Sequence, residues 1–230
     1  HQDMDSTLVL VSPHNPTGSV IPPELITEIA EICVANDLMV VSDEIYEKIL
    51  YDDARHLSIA SLPGMRDRTV TINGFSKSYS MTGWRLGYAA ASVELMSALI
   101  RVHQYTTVCA TSFAQVGAVA ALNGPQECVE QMVAEFARRR RLVVDSLKAM
   151  PGVTCAVPDG AFYVFPSFKQ LGMSSQEVSQ SLLNDAFVVT VPGSDFGGYG
   201  EGHVRMAYSN SYEKLEEAME RVASWVSSRV

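Results

Sequence analysis

Residues 69–77 read Thr69-Val70-Thr71-Ile72-Asn73-Gly74-Phe75-Ser76-Lys77, a β-branched run that stops abruptly at small and polar residues. Val, Ile and Thr suit the pleated, half-buried surface of a sheet, so a strand followed by a polar turn is predicted here. Two upstream runs have the same form, Thr7-Leu8-Val9-Leu10-Val11 and Leu38-Met39-Val40-Val41. All three are short and nearly continuous in apolar character, which predicts parallel strands covered on both faces. Residues 86–91 read as a fourth strand. Between the first two runs, Pro22-Pro23 opens a stretch in which Leu25, Ile26, Ile29, Ile32 and Cys33 recur at helical spacing, and Asn36 closes it. Strand, helix and strand in that order make one crossover unit.

Further along, residues 112–122 are small and apolar, predicting a buried helix ended by Asn123-Gly124-Pro125. Residues 126–150 hold an uninterrupted helical pattern with a charged face, ended by Pro151-Gly152. Isolated strands are predicted at 161–165, 187–191 and 203–208, with helices near 174–184 and 212–228. The fold class that results is α/β. A mainly parallel sheet flanked by helices fills residues 1–123, a long interdomain helix runs over 124–150, and a smaller α+β domain fills 151–230. No internal repeat or compositionally biased linker interrupts this order.

Composition removes several classes of function. With 230 residues, 47% of them hydrophobic and 19% charged, the chain is neither disordered nor collagenous. Its net charge of −9 and lack of a basic stripe argue against nucleic-acid partners. The short run Arg138-Arg139-Arg140-Arg141 has Glu130, Glu135 and Asp145 nearby and reads as a solvated helix face. No apolar stretch approaches the ~18 residues of a membrane span, and no signal peptide opens the chain, whose first residue is His1 rather than Met. Cys33, Cys109, Cys128 and Cys155 lie far apart, which predicts reduced, mostly buried thiols and a cytoplasmic setting. His14, His56, His103 and His203 lack ligand spacing, so no metal site is expected.

Polar residues follow each strong strand at once: Asn15 after the first, Asp43 and Glu44 after the second, Ser76 and Lys77 after the third. Ligands of open parallel sheets sit outside the carboxyl ends of the strands, so these side chains are expected to share one cleft. A lysine in a partly desolvated site becomes an amine nucleophile for a carbonyl ligand. A carboxylate facing a pyridine nitrogen favours its protonated form, and a pyridinium ring draws electrons from an attached carbanion. Each residue also has a plain structural reading. Asn15-Pro16-Thr17-Gly18 is a turn signal, Asp43 a possible cap, Tyr46 a core aromatic, and Arg205 a partner for Glu201.

Three motifs together resemble a known family: Ser12-Pro13-His14-Asn15-Pro16-Thr17-Gly18, Ser42-Asp43-Glu44-Ile45-Tyr46, and residues 73–88 around Ser76-Lys77-Ser78 and Gly83-Trp84-Arg85. They look like the fold type I pyridoxal-phosphate (PLP) aminotransferases of class I/II, the aspartate aminotransferase family. Pro158-Asp159-Gly160-Ala161-Phe162-Tyr163 and His203-Val204-Arg205-Met206 match that family's small domain. The resemblance implies that residues 1–123 are the carboxy-terminal part of the large PLP-binding domain. It implies that Lys77 is the Schiff-base lysine and proton shuttle, that Asp43 pairs with the pyridine nitrogen, and that Tyr46 and Asn15 bond the ring's O3′. Arg85 then grips the cofactor phosphate, Arg205 clamps the substrate α-carboxylate with Asn15 close by, and Ser76 adds a hydroxyl. The implied reaction moves an amino group between an α-amino acid and a 2-oxo acid, in a homodimer.

The same resemblance carries departures. Some family members place a phosphate-binding serine three residues before the lysine, where this chain has Gly74. The family's polypeptides are longer, and the match begins about halfway along them. The glycine-rich phosphate loop, the ring-stacking aromatic and the second subunit's tyrosine would then precede His1, and a companion chain carrying the first half is an expected partner. Two other readings stand beside the aminotransferase: a carbon-sulfur lyase or aminocyclopropane carboxylate synthase using the same residues, and a catalytically silent fragment.

Overall fold

The computed structural model describes residues 6–229; His1, with which the chain opens, lies outside them. The chain forms two compact units. One comprises the described residues up to Pro13 together with Val20–Gln131, and the other comprises His14–Ser19 and the chain from Met132 onward.

In the first unit, β1 (Thr7–Val11), β2 (Met39–Asp43) and β3 (Thr69–Gly74) pair in parallel, and β4 (Gly87–Ala90) adds to β3 in antiparallel sense. The sheet order is β1-β2-β3-β4. Helix α1 (Pro23–Ala35) crosses from β1 to β2, started by prolines that suit its first turn. Its apolar stripe of Ile26, Ala30 and Cys33 packs with Leu10, Val40, Ile59 and Met65. A second cluster gathers Phe75, Leu86, Ala114 and Ala118 under the turn that follows β3.

The expectation of strands covered on both faces is corrected here. Burial alternates along β2, Val9 is 66% exposed, and Ile72 also faces out. Only one face of the sheet is packed by α1 and its neighbours. The helix at 112–122 is present as α3 (Ser112–Asn123), yet it is not buried: Ala114 and Ala118 face inward while Phe113, Val116, Val119 and Leu122 are exposed. A helix that the sequence reading lacks, α2 (Val93–Thr106), precedes it and buries none of its residues. Between α2 and the β3–β4 pair lies a cavity of about 590 Å³, lined by Val70, Ile72, Tyr88, Leu99 and Ile100.

The second unit holds a three-stranded antiparallel sheet, β5 (Tyr163–Val164), β7 (Val204–Ala207) and β6 (Val191–Pro192), in the order β5-β7-β6. Helix α4 (Glu127–Ala149) runs through the division of the chain, followed by α5 (Ser175–Ala186) and α6 (Tyr212–Ser227). Val143, Leu147, Val178, Leu182, Val222 and Val226 form this unit's interior. Ser174 starts α5 with a capping box to Glu177, satisfying two N–H groups that the helix cannot bond itself. The strand expected over 187–191 shrinks to β6 because Phe187, at φ 57°, closes α5 in the left-handed region.

Two further expectations change. Arg138 and Arg139 pair with Glu135 at the surface, but Arg140 is 4% exposed and donates to the Pro158 carbonyl at 2.8 Å. Successive helical residues turn by about 100°, so a run of four must send one inward. Cys33 and Cys155 are buried, whereas Cys109 and Cys128 are exposed, so half rather than most of the thiols are sheltered. Residues 193–200 form consecutive 3-10 turns in which Gly193 and Gly200 meet backbone to backbone, leaving no room for a side chain at either. Among the described residues, no helix is long and apolar enough to cross a membrane.

Candidate active site

In the first unit, Asp43 ends β2 and Ser76 and Lys77 lie in the turn directly after β3. Because β1, β2 and β3 are parallel, Asp43 and Lys77 leave the sheet at the same edge. Asp43 is half-buried, and its Oδ1 accepts from the Ile45 N–H at 3.1 Å, so part of its carboxylate does serve as a local cap. Tyr46 is buried, and the Lys77 ammonium sits 5.9 Å from the centre of its ring. Lysine, phenol and carboxylate are thus carried on adjacent turns of one sheet edge.

Arg85 comes at the end of a 3-10 turn (Thr82–Trp84), in the left-handed region at φ 52°. It is exposed, and its Nη1 donates to the Thr82 carbonyl at 3.0 Å. Among the described residues no carboxylate pairs with it, which leaves a guanidinium edge available for an anion. Trp84 holds this turn from behind. A Cβ at Gly117 of α3 would stand 2.5 Å from the Trp84 ring, so only glycine lets the indole lie this close. The hydroxyl of Ser78, beside Lys77, is buried with no hydrogen-bond partner among the described residues.

Glu44 was not expected inside. It is 2% exposed, and three donors surround it: Ser42 Oγ at 2.9 Å and Ser58 Oγ at 2.8 Å on Oε1, and His56 Nε2 at 3.0 Å on Oε2. Burial alone would raise its pKa, but the hydrogen bonds from His56, Ser58 and Ser42 outweigh it and hold the carboxyl below the ordinary glutamate value. A depressed folded-state pKa stabilises the fold fully above the unfolded value and loses that contribution as pH falls through the folded one. The melting-temperature gap between the protein and Glu44→Gln is therefore expected to narrow as pH drops from neutral to below about 4.3, the ordinary glutamate value. A gap independent of pH would contradict this. Glu47 joins Glu44 and His56 with all three ligand atoms within 4.8 Å, but the Glu44 oxygens already take the donors just named.

In the second unit, residues 14–19 form a tight loop, with the His14 carbonyl accepting from Gly18 N–H and the His14 N–H donating to Ser19 O, each at 2.8 Å. Gly18 has φ +71°, and a Cβ there would run into Pro158 and the carbonyls of Gly160 and Tyr163. Its own carbonyl accepts from the Gly160 N–H at 2.8 Å, so the loop is seated on the 158–163 turn. Burial lowers the His14 pKa, and its Nδ1 lies 2.8 Å from Thr17 Oγ1.

That loop brings Asn15 to Arg205 of β7, whose Nη1 donates to Asn15 Oδ1 at 2.8 Å. The Arg205 guanidinium lies over the rings of Tyr163 and Phe196, 4.7 and 5.0 Å from their centres. Glu201 does not pair with it, since that carboxylate accepts from the Ser175 and Gly202 N–H groups. Among the described residues Arg205 has no acidic partner at all. A half-buried cation framed by aromatic faces and one amide is suited to a carboxylate from outside.

The chain is similar to known proteins over nearly all of its length. The model of the aminotransferase class I and II family matches residues 2–222. An aspartate aminotransferase of Pyrococcus abyssi is 48% identical over 217 residues, covering 94% of this chain and 56% of the relative. The aromatic-amino-acid aminotransferase 2 of Thermococcus litoralis is 47% identical, again over 94% of this chain and 56% of its own length. The crystal structure of an aromatic aminotransferase from Pyrococcus horikoshii OT3 superposes with a TM-score of 0.94 at 46% identity, covering 97% of this chain and 60% of that one. The fold is that of the fold type I aminotransferases. The chain belongs to the class I and II aminotransferase family. It spans a little over half the length of the curated relatives it matches.

The residues present fit that family's cofactor in kind. An acid, a phenol, a primary amine, a hydroxyl and an arginine without an acidic partner are what a pyridine nitrogen, a ring oxygen, an aldehyde and a phosphate require.

Proposed function

We propose that this protein is a PLP-dependent aminotransferase that moves an amino group between an α-amino acid and a 2-oxo acid. The observation that supports the reading most is the emergence of Asp43 and Lys77 at the same carboxyl edge of three parallel strands. Bound PLP supplies a covalent carbonyl anchor and an electron sink conjugated with the substrate Cα. Asp43 holds a proton on the ring nitrogen by charge pairing. Tyr46 and Asn15 orient the ring oxygen, while Arg85 and Ser76 hold the phosphate. The Lys77 amine would anchor the cofactor aldehyde and would serve as the base that takes and returns the substrate Cα proton. Arg205 fixes the substrate carboxylate so that the Cα–H bond is held in place.

Relatives named for aspartate and for aromatic amino acids make these the first substrates to try. Incubation of the PLP-loaded protein with L-aspartate or L-phenylalanine, without a 2-oxo acid, is expected to convert the cofactor stoichiometrically to its pyridoxamine form. Loss of the amino acid with the cofactor unchanged would favour a lyase, and no change with any amino acid would favour a silent module.

The reading also includes a homodimer and a companion polypeptide for the remainder of the relatives' length. The exposed apolar side chains of α2 and α3, among them Val93, Val102, Tyr105, Phe113 and Val116, support a covered face there. Light scattering and intact mass on purified protein read both directly; a 25.1 kDa monomer as the active species would overturn them. The proposed compartment is the cytoplasm, supported by cysteines spaced without a disulfide framework.

A further inference from the structure

We propose that Glu44 is a positioning residue, whose buried carboxylate clamps the segment carrying Asp43 and Tyr46 and so sets how those two side chains meet the cofactor ring. The inference rests on the roles given above to Asp43 and Tyr46. Side chains alternate across a strand, so Ser42 and Glu44 turn to one face while Asp43 turns to the other. The contacts follow that alternation, because Ser42 Oγ reaches Glu44 Oε1 whereas Asp43 Oδ1 takes the Ile45 N–H.

Backbone and side chain of Glu44 are both anchored. Its N–H donates to the Ile72 carbonyl in β3 at 2.9 Å, and its own carbonyl accepts from the Glu47 N–H at 2.9 Å. The carboxylate takes Ser58 and His56 from a segment that returns 12–14 residues later. Between these ties lies the stretch that holds Tyr46, whose carbonyl accepts from the Ile49 N–H at 2.8 Å. Asp43 is fixed on its other side by the Ser12 N–H, which donates to its carbonyl at 3.2 Å. Displacing Glu44 therefore moves Asp43, one residue before it, and Tyr46, two residues after it.

The carboxylate has no chemistry of its own to perform, since three donors occupy it and solvent is excluded. The stability it contributes above acidic pH is only part of its account. A buried charged cluster of this kind gains little over a well-packed apolar one, because desolvation offsets its attraction. What such a cluster does provide is one defined geometry.

The test combines Glu44→Gln, Asp43→Ala and the double variant in the full chain. PLP dissociation constants are measured by absorbance titration, and backbone hydrogen exchange is mapped without cofactor. Glu44→Gln is expected to raise the dissociation constant about tenfold, a size suited to a supporting group shifted by a fraction of an ångström. In the Asp43→Ala background the same change is expected to add less than about twofold. Exchange protection is expected to fall over residues 43–58 while β1 and α1 keep theirs. Equal fold-losses in both backgrounds, or protection that falls evenly through the unit, would reduce Glu44 to a general structural residue and overturn the proposal. Should Glu44→Gln not fold, Ser58→Ala removes one donor and keeps the charge, with a weaker loss of the same pattern expected and no local change overturning it. If the unsubstituted protein takes up no PLP, the functional reading fails instead, and the exchange map alone decides the clamp.

Discussion

Lys77→Ala is expected to lower transamination by about four orders of magnitude or more, because one substitution removes both the covalent anchor of the cofactor and the base that moves the Cα proton. The side chain sits in the turn after β3, half-buried, with its ammonium 5.9 Å from the centre of the Tyr46 ring. Alanine there leaves Asp43, Tyr46 and Arg85 in place, since the turn is held by Phe75 in the core and by Trp84 against Gly117. The variant is therefore expected to fold and to retain PLP non-covalently. Borohydride reduction followed by peptide mapping is expected to find a pyridoxyl group on the peptide containing Lys77 and on no peptide of the variant. Turnover that survives the substitution, or a label on another lysine, would remove Lys77 from the reaction.

Much of what frames this lysine is legible from the residue order. β-branched runs locate β1, β2 and β3, and Pro22-Pro23 with the spacing of Ile26, Ile29 and Cys33 locates α1. What escapes depends on partners distant in sequence. Glu44 looks too polar for an interior until His56 and Ser58 come back to it. Arg140 looks like its three arginine neighbours until the Pro158 carbonyl receives it. Apolar composition in α3 shows that Phe113 and Val116 suit a covered surface, but it cannot say whether the cover comes from this chain. α2 depends on no distant partner. Val93, Met96, Ile100 and His103 recur at helical intervals in the sequence itself. Asn15 and Arg205 were each legible from a motif, while their hydrogen bond across 190 residues of chain was not.

That bond underlies the second large effect. Arg205→Lys keeps the positive charge but replaces a planar fork by a single ammonium, so the two parallel hydrogen bonds proposed for the substrate α-carboxylate cannot both form. Charge-assisted hydrogen bonds contribute about 1.5–3 kcal/mol each, so loss of one predicts a fall of roughly ten- to a hundredfold in kcat/KM. Arg205→Ala removes both and also strips the cation from between Tyr163 and Phe196, so the fall is expected to be larger and accompanied by a lower melting temperature. The lysine variant separates recognition from packing, because its stem still covers those rings. PLP affinity should fall much less than kcat/KM for Arg205→Lys, since of the groups assigned to the ring and phosphate only Asn15 is bonded to Arg205. The signature to look for is thus a higher KM for the amino acid with cofactor binding intact. Were the lysine variant to match the unsubstituted protein in KM, the aromatic-framed guanidinium would be a structural pair with Asn15, and the substrate carboxylate would have to be held elsewhere.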